Sequence, residues 1–130
     1  MNTVALDTNV ISNLMSGHIA EIAQTLDRIH AYYVPWAVYG ELLAGVQAGS
    51  NPAKYTAVLD DFLHKPYVTL STVTAADTVP YYAAIYHSLK RRGTPVSPND
   101  LWIAAECAQQ GLPLFTLDKD FSHIEQILLI

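Results

Sequence analysis

Apolar residues recur along the chain in two spacings. Short, nearly unbroken runs occur at Val4-Ala5-Leu6, Tyr32-Tyr33-Val34, Tyr67-Val68-Thr69-Leu70 and Leu114-Phe115-Thr116-Leu117, with the length and β-branched or aromatic content of buried strands. Between them lie longer stretches whose apolar positions fall three and four apart, the period of an amphipathic helix. Ile19, Ile22, Ala23, Leu26 and Ile29 form one such stripe and predict a helix over 19–29. Further helices are predicted over 37–48, 53–63, 75–91 and 98–110. Their stops are Gly49-Ser50-Asn51-Pro52, Gly93 with Pro95, and Gly111. Ser97-Pro98-Asn99-Asp100 opens the last helix with Ser at the N-cap, Pro at the first position and an acid at the third. A short turn or helix is expected around 120–125, and Ile127-Leu128-Leu129-Ile130 predicts a final strand. Strands alternating with helices imply a mostly parallel sheet covered on both faces. The expectation is an α/β protein, one domain over 1–130, built as a three-layer α/β/α sandwich.

Composition narrows the class. Of 130 residues, 51% are hydrophobic and 15% charged, enough to bury a continuous core and too apolar for a disordered chain. No window approaches the ~18 consecutive apolar residues of a membrane span, and the first residues lack a signal peptide's basic end and apolar stretch. A single cysteine, Cys107, excludes an internal disulfide and argues against a Cys-based zinc site. A cytoplasmic protein of a reducing compartment is expected. The formal charge of −5 speaks against a bulk polyanion binder. Four of the twelve acids, however, form the candidate site described next. Setting them aside leaves eight acids against seven bases, so the acidity is local.

In open parallel sheets, ligands bind beyond the carboxyl ends of strands. Asp7 follows the first strand run, Asp118 follows the Leu114 run, and Asp100 opens a helix. Each has a plain structural reading as a helix cap or turn residue. Asp120 reads more readily as a capping or solvated residue, though it competes with Asp118 for the same role. Glu41 is the only charge over 37–48 and has no basic residue three or four positions away. A carboxylate on that face of small apolar residues is costly to bury unless paired or metal-bound. Clustered carboxylates either take up protons or hold a hard cation. An all-oxygen donor set favours Mg²⁺ or Mn²⁺, ions suited to phosphodiester hydrolysis. Thr116 and Asn9, close to the acids in sequence, are placed to hydrogen-bond a carboxylate or water.

The strand-end Asp7-Thr8-Asn9, Val38-Tyr39-Gly40-Glu41-Leu42, Pro98-Asn99-Asp100-Leu101-Trp102-Ile103-Ala104-Ala105 and Phe115-Thr116-Leu117-Asp118-Lys119-Asp120-Phe121 together resemble the PIN-domain family. The similarity is strongest to its VapC-like toxin ribonucleases, and the motifs occur in the family's order over nearly the whole chain. The resemblance implies a metal-dependent endoribonuclease that cuts single-stranded or loop RNA to 5′-phosphate and 3′-hydroxyl ends. It implies Asp7, Glu41, Asp100 and Asp118 as ligands for one or two Mg²⁺ or Mn²⁺ ions, with Thr116 as the polar site residue. A homodimer and a cognate antitoxin that inserts into the site are implied as well.

Other residues carry weaker signals. Lys90-Arg91-Arg92 places positive charge at a helix C-terminus, and Arg91 and Arg92 are alternatively phosphate contacts for RNA. Trp36, Tyr39 and Trp102 are base-stacking or core residues; Tyr81, Tyr82 and Tyr86 form a stripe for core or dimer contact. The five histidines have no metal-ligand spacing, and no glycine pattern fits a phosphate loop. Two rival functions remain open. One is a Mg²⁺-dependent phosphohydrolase of another α/β family with Asp7 as nucleophile. The other is a non-catalytic PIN-like or receiver-like binding domain.

Overall fold

The computed structural model describes residues 2–130. The elements in chain order are β1 (Thr3–Leu6), α1 (Thr8–Ser16), α2 (Ala23–Leu26), β2 (Ala31–Val34), α3 (Trp36–Ala48) and α4 (Pro52–Leu63), then β3 (Val68–Leu70), α5 (Ala75–Arg92), α6 (Pro98–Gln110), β4 (Leu114–Phe115) and a 3₁₀ turn (Lys119–His123). The strands form one parallel sheet in the order β3-β2-β1-β4, flanked by the six helices. Its register pairs Thr3 with Ala31, Leu6 with Phe115, and Val34 with Leu70. The expected α/β architecture is therefore the one observed. Central β1 has helices on both sides, so Val4, Ala5 and Leu6 are fully buried without alternation. Ile11, Val38, Ile85, Ile103 and Phe121 close over the sheet from the helices and the 3₁₀ turn.

Most helix boundaries fall where the local chemistry predicts. Ser97 caps α6, accepting from the Asp100 amide at 3.3 Å, and Gly111 ends that helix with a left-handed φ of 65°. Four expectations are corrected. The stripe over 19–29 forms only the four-residue α2 between tight turns, such as Ile22 N–H to Ile19 C=O and Ile29 N–H to Leu26 C=O. Ile22, Leu26 and Ile29 are buried, yet Ile19 is exposed and no side chain caps the helix. Tertiary burial, satisfied by turns, accounts for the spacing without a continuous helix. The last strand run, 127–130, makes one parallel bridge, Leu114 to Leu129, rather than a strand. The partner β4 is only two residues long and follows Pro113, which has no N–H to extend a ladder. The run 114–117 itself stops at Phe115, after which the Thr116 hydroxyl donates to the Asp7 carboxylate and accepts from the Asp118 amide. Finally, residues 8–16, to which the apolar spacing assigned no element, form α1 behind its Asp7 cap.

Candidate active site

The strand order places β1 beside β4, while β2 and β3 lead away on the other side. At that reversal a crevice opens beyond the strand ends. Asp7 directly follows β1, and Thr116 directly follows β4. Asp7 Oδ1 accepts from the Thr8 amide at 2.8 Å, and Oδ2 accepts from the Thr116 hydroxyl at 2.5 Å. The same hydroxyl accepts from the Asp118 amide at 2.9 Å. One threonine thus fixes both Asp7 and the backbone that presents Asp118. Asn9 ties the same loop down by accepting from the Leu117 amide at 3.3 Å. Asp118 caps the 3₁₀ turn, its Oδ1 accepting from the Asp120 amide at 2.9 Å.

Two helices bring the remaining acids. Glu41, in the second turn of α3, accepts from the Thr8 hydroxyl at 2.8 Å. It is half-buried at the rim, and Ala44, Gly45 and Ala48 of its helix face are exposed, so this face opens to the site rather than to the core. Asp100 sits in the first turn of α6. Carboxylate oxygens of Asp100, Asp118 and Asp120 lie within 4.8 Å of one another. Asp120, which capping logic set aside, therefore belongs to the cluster alongside Asp118.

The electrostatics follow from burial and like charge. Asp7 is 5% exposed, and that burial raises its carboxyl above the ordinary range. The Thr116 and Thr8 hydrogen bonds oppose the rise, while the Glu41 and Asp118 charges add to it. Asp100 is pushed up to about 6, by burial first and then by Asp118, Asp7 and Glu41, with a Ser97 hydrogen bond working against them. No basic side chain lowers either group. The ion pairs of the fold lie elsewhere, at Asp60, Asp61 and Glu125. The Asp100, Asp118 and Asp120 cluster, with Asp7 and Glu41 adding their charge nearby and no ion pair to it among the described residues, offers only oxygen donors and fits a hard divalent ion of the Mg²⁺ or Mn²⁺ type.

Two site features escaped sequence reasoning. Thr8 holds Glu41, and its only sequence signal is a hydroxyl directly after the strand-end acid. Glu106 is fully buried, and both the Tyr33 hydroxyl and the Trp36 amide donate to its carboxylate. It thereby joins α6, which carries Asp100, to the first residue of α3, which carries Glu41. Its signal was available: it is the only charge on α6 beyond Asp100. Other candidates scatter. The Arg92 guanidinium pairs with Glu125 at 3.4 Å and donates to the His123 carbonyl, anchoring the segment after the 3₁₀ turn. Arg91 is exposed. Trp36 packs on Trp102, which stacks on Tyr82 at 4.1 Å, while Tyr81 and Tyr86 remain exposed on α5. Cys107 is buried, and burial pushes its thiol up, as for a core residue.

Comparison with known proteins bears on the family and the fold. The sequence profile of the PIN domain matches residues 4–127. Ribonuclease VapC5 of Mycobacterium tuberculosis is 32% identical over 127 residues, covering 92% of this chain and 86% of that protein. Ribonuclease VapC2 of Haemophilus influenzae is 25% identical, with 96% and 92% covered. Among solved structures, VapBC2 of Rickettsia felis bound to a DNA fragment from its promoter superposes with a TM-score of 0.82 at 22% identity, covering 100% of this chain and 98% of that one. The VapBC-5 toxin–antitoxin structure of M. tuberculosis gives 0.72 at 28% identity, with 98% and 97% covered.

Proposed function

The chain belongs to the PIN-domain family, and on that premise we propose that it is a divalent-metal-dependent endoribonuclease, the toxin of a toxin–antitoxin pair. The observation that carries the reading is the convergence of Asp7, Glu41, Asp100 and Asp118, from four separate segments, on one crevice without a neutralising side chain. Asp7, Asp100, Asp118 and Asp120 would hold Mg²⁺, with Mn²⁺ able to substitute, and Glu41 lies at the rim of the same site. A bound ion of this kind neutralises phosphoryl charge and makes water more acidic.

The chain's own groups divide the remaining work. Thr116 and the Thr8 amide lock the Asp7 carboxylate in one orientation, so no rearrangement is needed when the ion arrives. Thr8 holds one oxygen of Glu41 and leaves the other to orient an attacking water or accept its proton. Asp100, pushed up to about 6 by burial and the neighbouring acids, would be a ligand available to such an ion above that pH. Arg91 is the phosphate contact still exposed at the end of α5, whereas Arg92 is engaged by Glu125. The rival in which Asp7 is a nucleophile would require the carboxylate to attack while held by the Thr8 and Thr116 hydrogen bonds, and it is told apart by its covalent product.

The partners proposed are RNA, a cognate antitoxin protein, as in the solved VapBC relatives, and a second copy of the chain. Action in the cytoplasm, where cellular RNA is met, is proposed as part of the same reading; separately, no described helix is long and apolar enough to cross a membrane. The test is cleavage of a mixed pool of structured and single-stranded RNA by purified chain with Mn²⁺, with EDTA and with Asp7→Asn. Metal-dependent cuts that leave 5′-phosphates and vanish in the variant are expected. A folded, Mn²⁺-binding protein free of co-purified partner that leaves the pool intact would overturn the reading. A phosphoenzyme on Asp7 would favour its rival.

A further inference from the structure

Glu41 stands between two open grooves. On one side a groove of about 490 Å³ is lined by Trp36, Gly40, Ala44 and Asn99. On the other a groove of about 300 Å³ is lined by Ser12, Met15, Gly45 and Tyr55. Both volumes fall in the range of small-molecule sites. Each groove has one aromatic ring. Trp36 is braced by Trp102, with ring centres 5.4 Å apart. Its indole N–H is buried without an acceptor, so packing holds the ring. The Lys54 ammonium lies 5.3 Å from the centre of the Tyr55 ring, which brings a positive charge close to the second groove.

The glycines of α3 are an independent clue. Gly40 and Gly45 lie inside the helix, where glycine is unfavourable, and neither has a positive φ. A Cβ built on either would meet nothing within 4 Å. Neither packing within the chain nor backbone conformation calls for glycine there. Gly40 lines one groove and Gly45 the other, so each leaves its groove wider than a side chain there would.

We propose that the two grooves are nucleobase subsites that seat the unpaired nucleotides on either side of the phosphodiester held at the acids. The proposal rests on the ribonuclease reading and deepens it. A phosphodiester at the carboxylates carries one nucleoside on each side, and Glu41 is the wall shared by both grooves. Stacking on Trp36 and Tyr55 is open to any base because every base has a π-face. The Asn99 amide, next in sequence to Asp100, offers a donor and an acceptor to a base edge.

The experiment uses a randomised single-stranded RNA pool with Mn²⁺ and sequencing of the cut ends. Trp36→Leu is expected to lower kcat/KM by about 10- to 100-fold, mostly through KM, the size of a lost stacking contact. It should also flatten the nucleotide preference on one side of the cut. Trp36→Phe should restore most of both, and Tyr55→Leu should flatten the other side. Gly40→Ala should raise the urea midpoint of unfolding, and Gly40→Leu should raise KM while Mn²⁺ titrations match wild type. Gly40→Leu and Trp36→Leu enzymes with wild-type KM and preferences, alongside an inert Asp7→Asn, would sink the subsites and leave the ribonuclease standing. A Gly40→Leu protein that cuts normally but loses its co-purifying partner would assign the groove to a protein instead. A wild type that cuts no RNA removes both readings.

Discussion

Glu106→Gln tests how the fold holds two helices of the site together. The native carboxylate is fully buried and accepts from the Tyr33 hydroxyl and the Trp36 amide, the latter at 2.9 Å. Hydrogen bonds to a charged acceptor contribute about 1.5–3 kcal/mol each, and a buried donor left unsatisfied costs about 1–3 kcal/mol. Glutamine keeps the shape but offers one oxygen and one NH₂. Its oxygen can still accept from the Trp36 amide, but its NH₂ must donate to the Tyr33 hydroxyl, which then turns from donor to acceptor, and both bonds lose the negative charge. The expected loss is about 2 kcal/mol, or roughly 5–10 °C in Tm for a domain of this size. Glu106→Leu strands both donors and should cost about 2–6 kcal/mol. Urea unfolding in EDTA, followed by tryptophan fluorescence, measures each value. Tyr33→Phe supplies the control: it should be costly in the native background and nearly free beside Glu106→Leu, where the partner is already gone, a coupling of about 1–2 kcal/mol. A Gln variant within about 0.5 kcal/mol of wild type, or additive effects in the cycle, would refute the reasoning.

Two further predictions concern the acids. Thr116→Val keeps the volume at the end of β4 but removes the donor to Asp7 and the acceptor for the Asp118 amide; Mn²⁺ affinity by calorimetry should fall about 10- to 100-fold, and an unchanged affinity would deny Thr116 its orienting role. The metal-free protein should lose stability as pH rises, because Asp7 and Asp100 bind protons more tightly folded than unfolded. For Asp100 the stabilisation is complete below its unfolded value near pH 4 and disappears as pH rises through about 6. Urea midpoints in EDTA should therefore fall between pH 4 and 7, and saturating Mn²⁺ should remove or reverse that slope. A flat profile in EDTA would mean that the carboxylates are not crowded as described.

Local chemistry was legible wherever a short stretch of chain decides the outcome. Ser97-Pro98-Asn99-Asp100 names its own helix start, and Gly111 its helix end, because capping and left-handed turns depend on a few consecutive residues. The same locality misled at 19–29 and 127–130. There the apolar spacing marks positions that are buried, and burial is satisfied equally well by turns or by a single bridge. Asp120 shows the limit from the other side. Its sequence context reads as capping, and only the fold reveals that Asp100 lies within reach of it.

The sequence by itself determined that alternating buried strands and amphipathic helices would wind into a parallel α/β domain. It also determined which acids lie at strand ends and helix starts, because those features follow from backbone period and from the order of the chain. What it left to the tertiary structure was every relation across the chain: Thr8 to Glu41, Thr116 to Asp7, and Glu106 to Tyr33 and Trp36, separated by 33, 109, 73 and 70 residues. Those contacts exist because the sheet reverses its winding direction beside β1. The reversal brings the ends of β1 and β4 together at one crevice, with the second turn of α3 and the first turn of α6 around them. Side chains meet there through packing of the whole domain, which no window of sequence encodes.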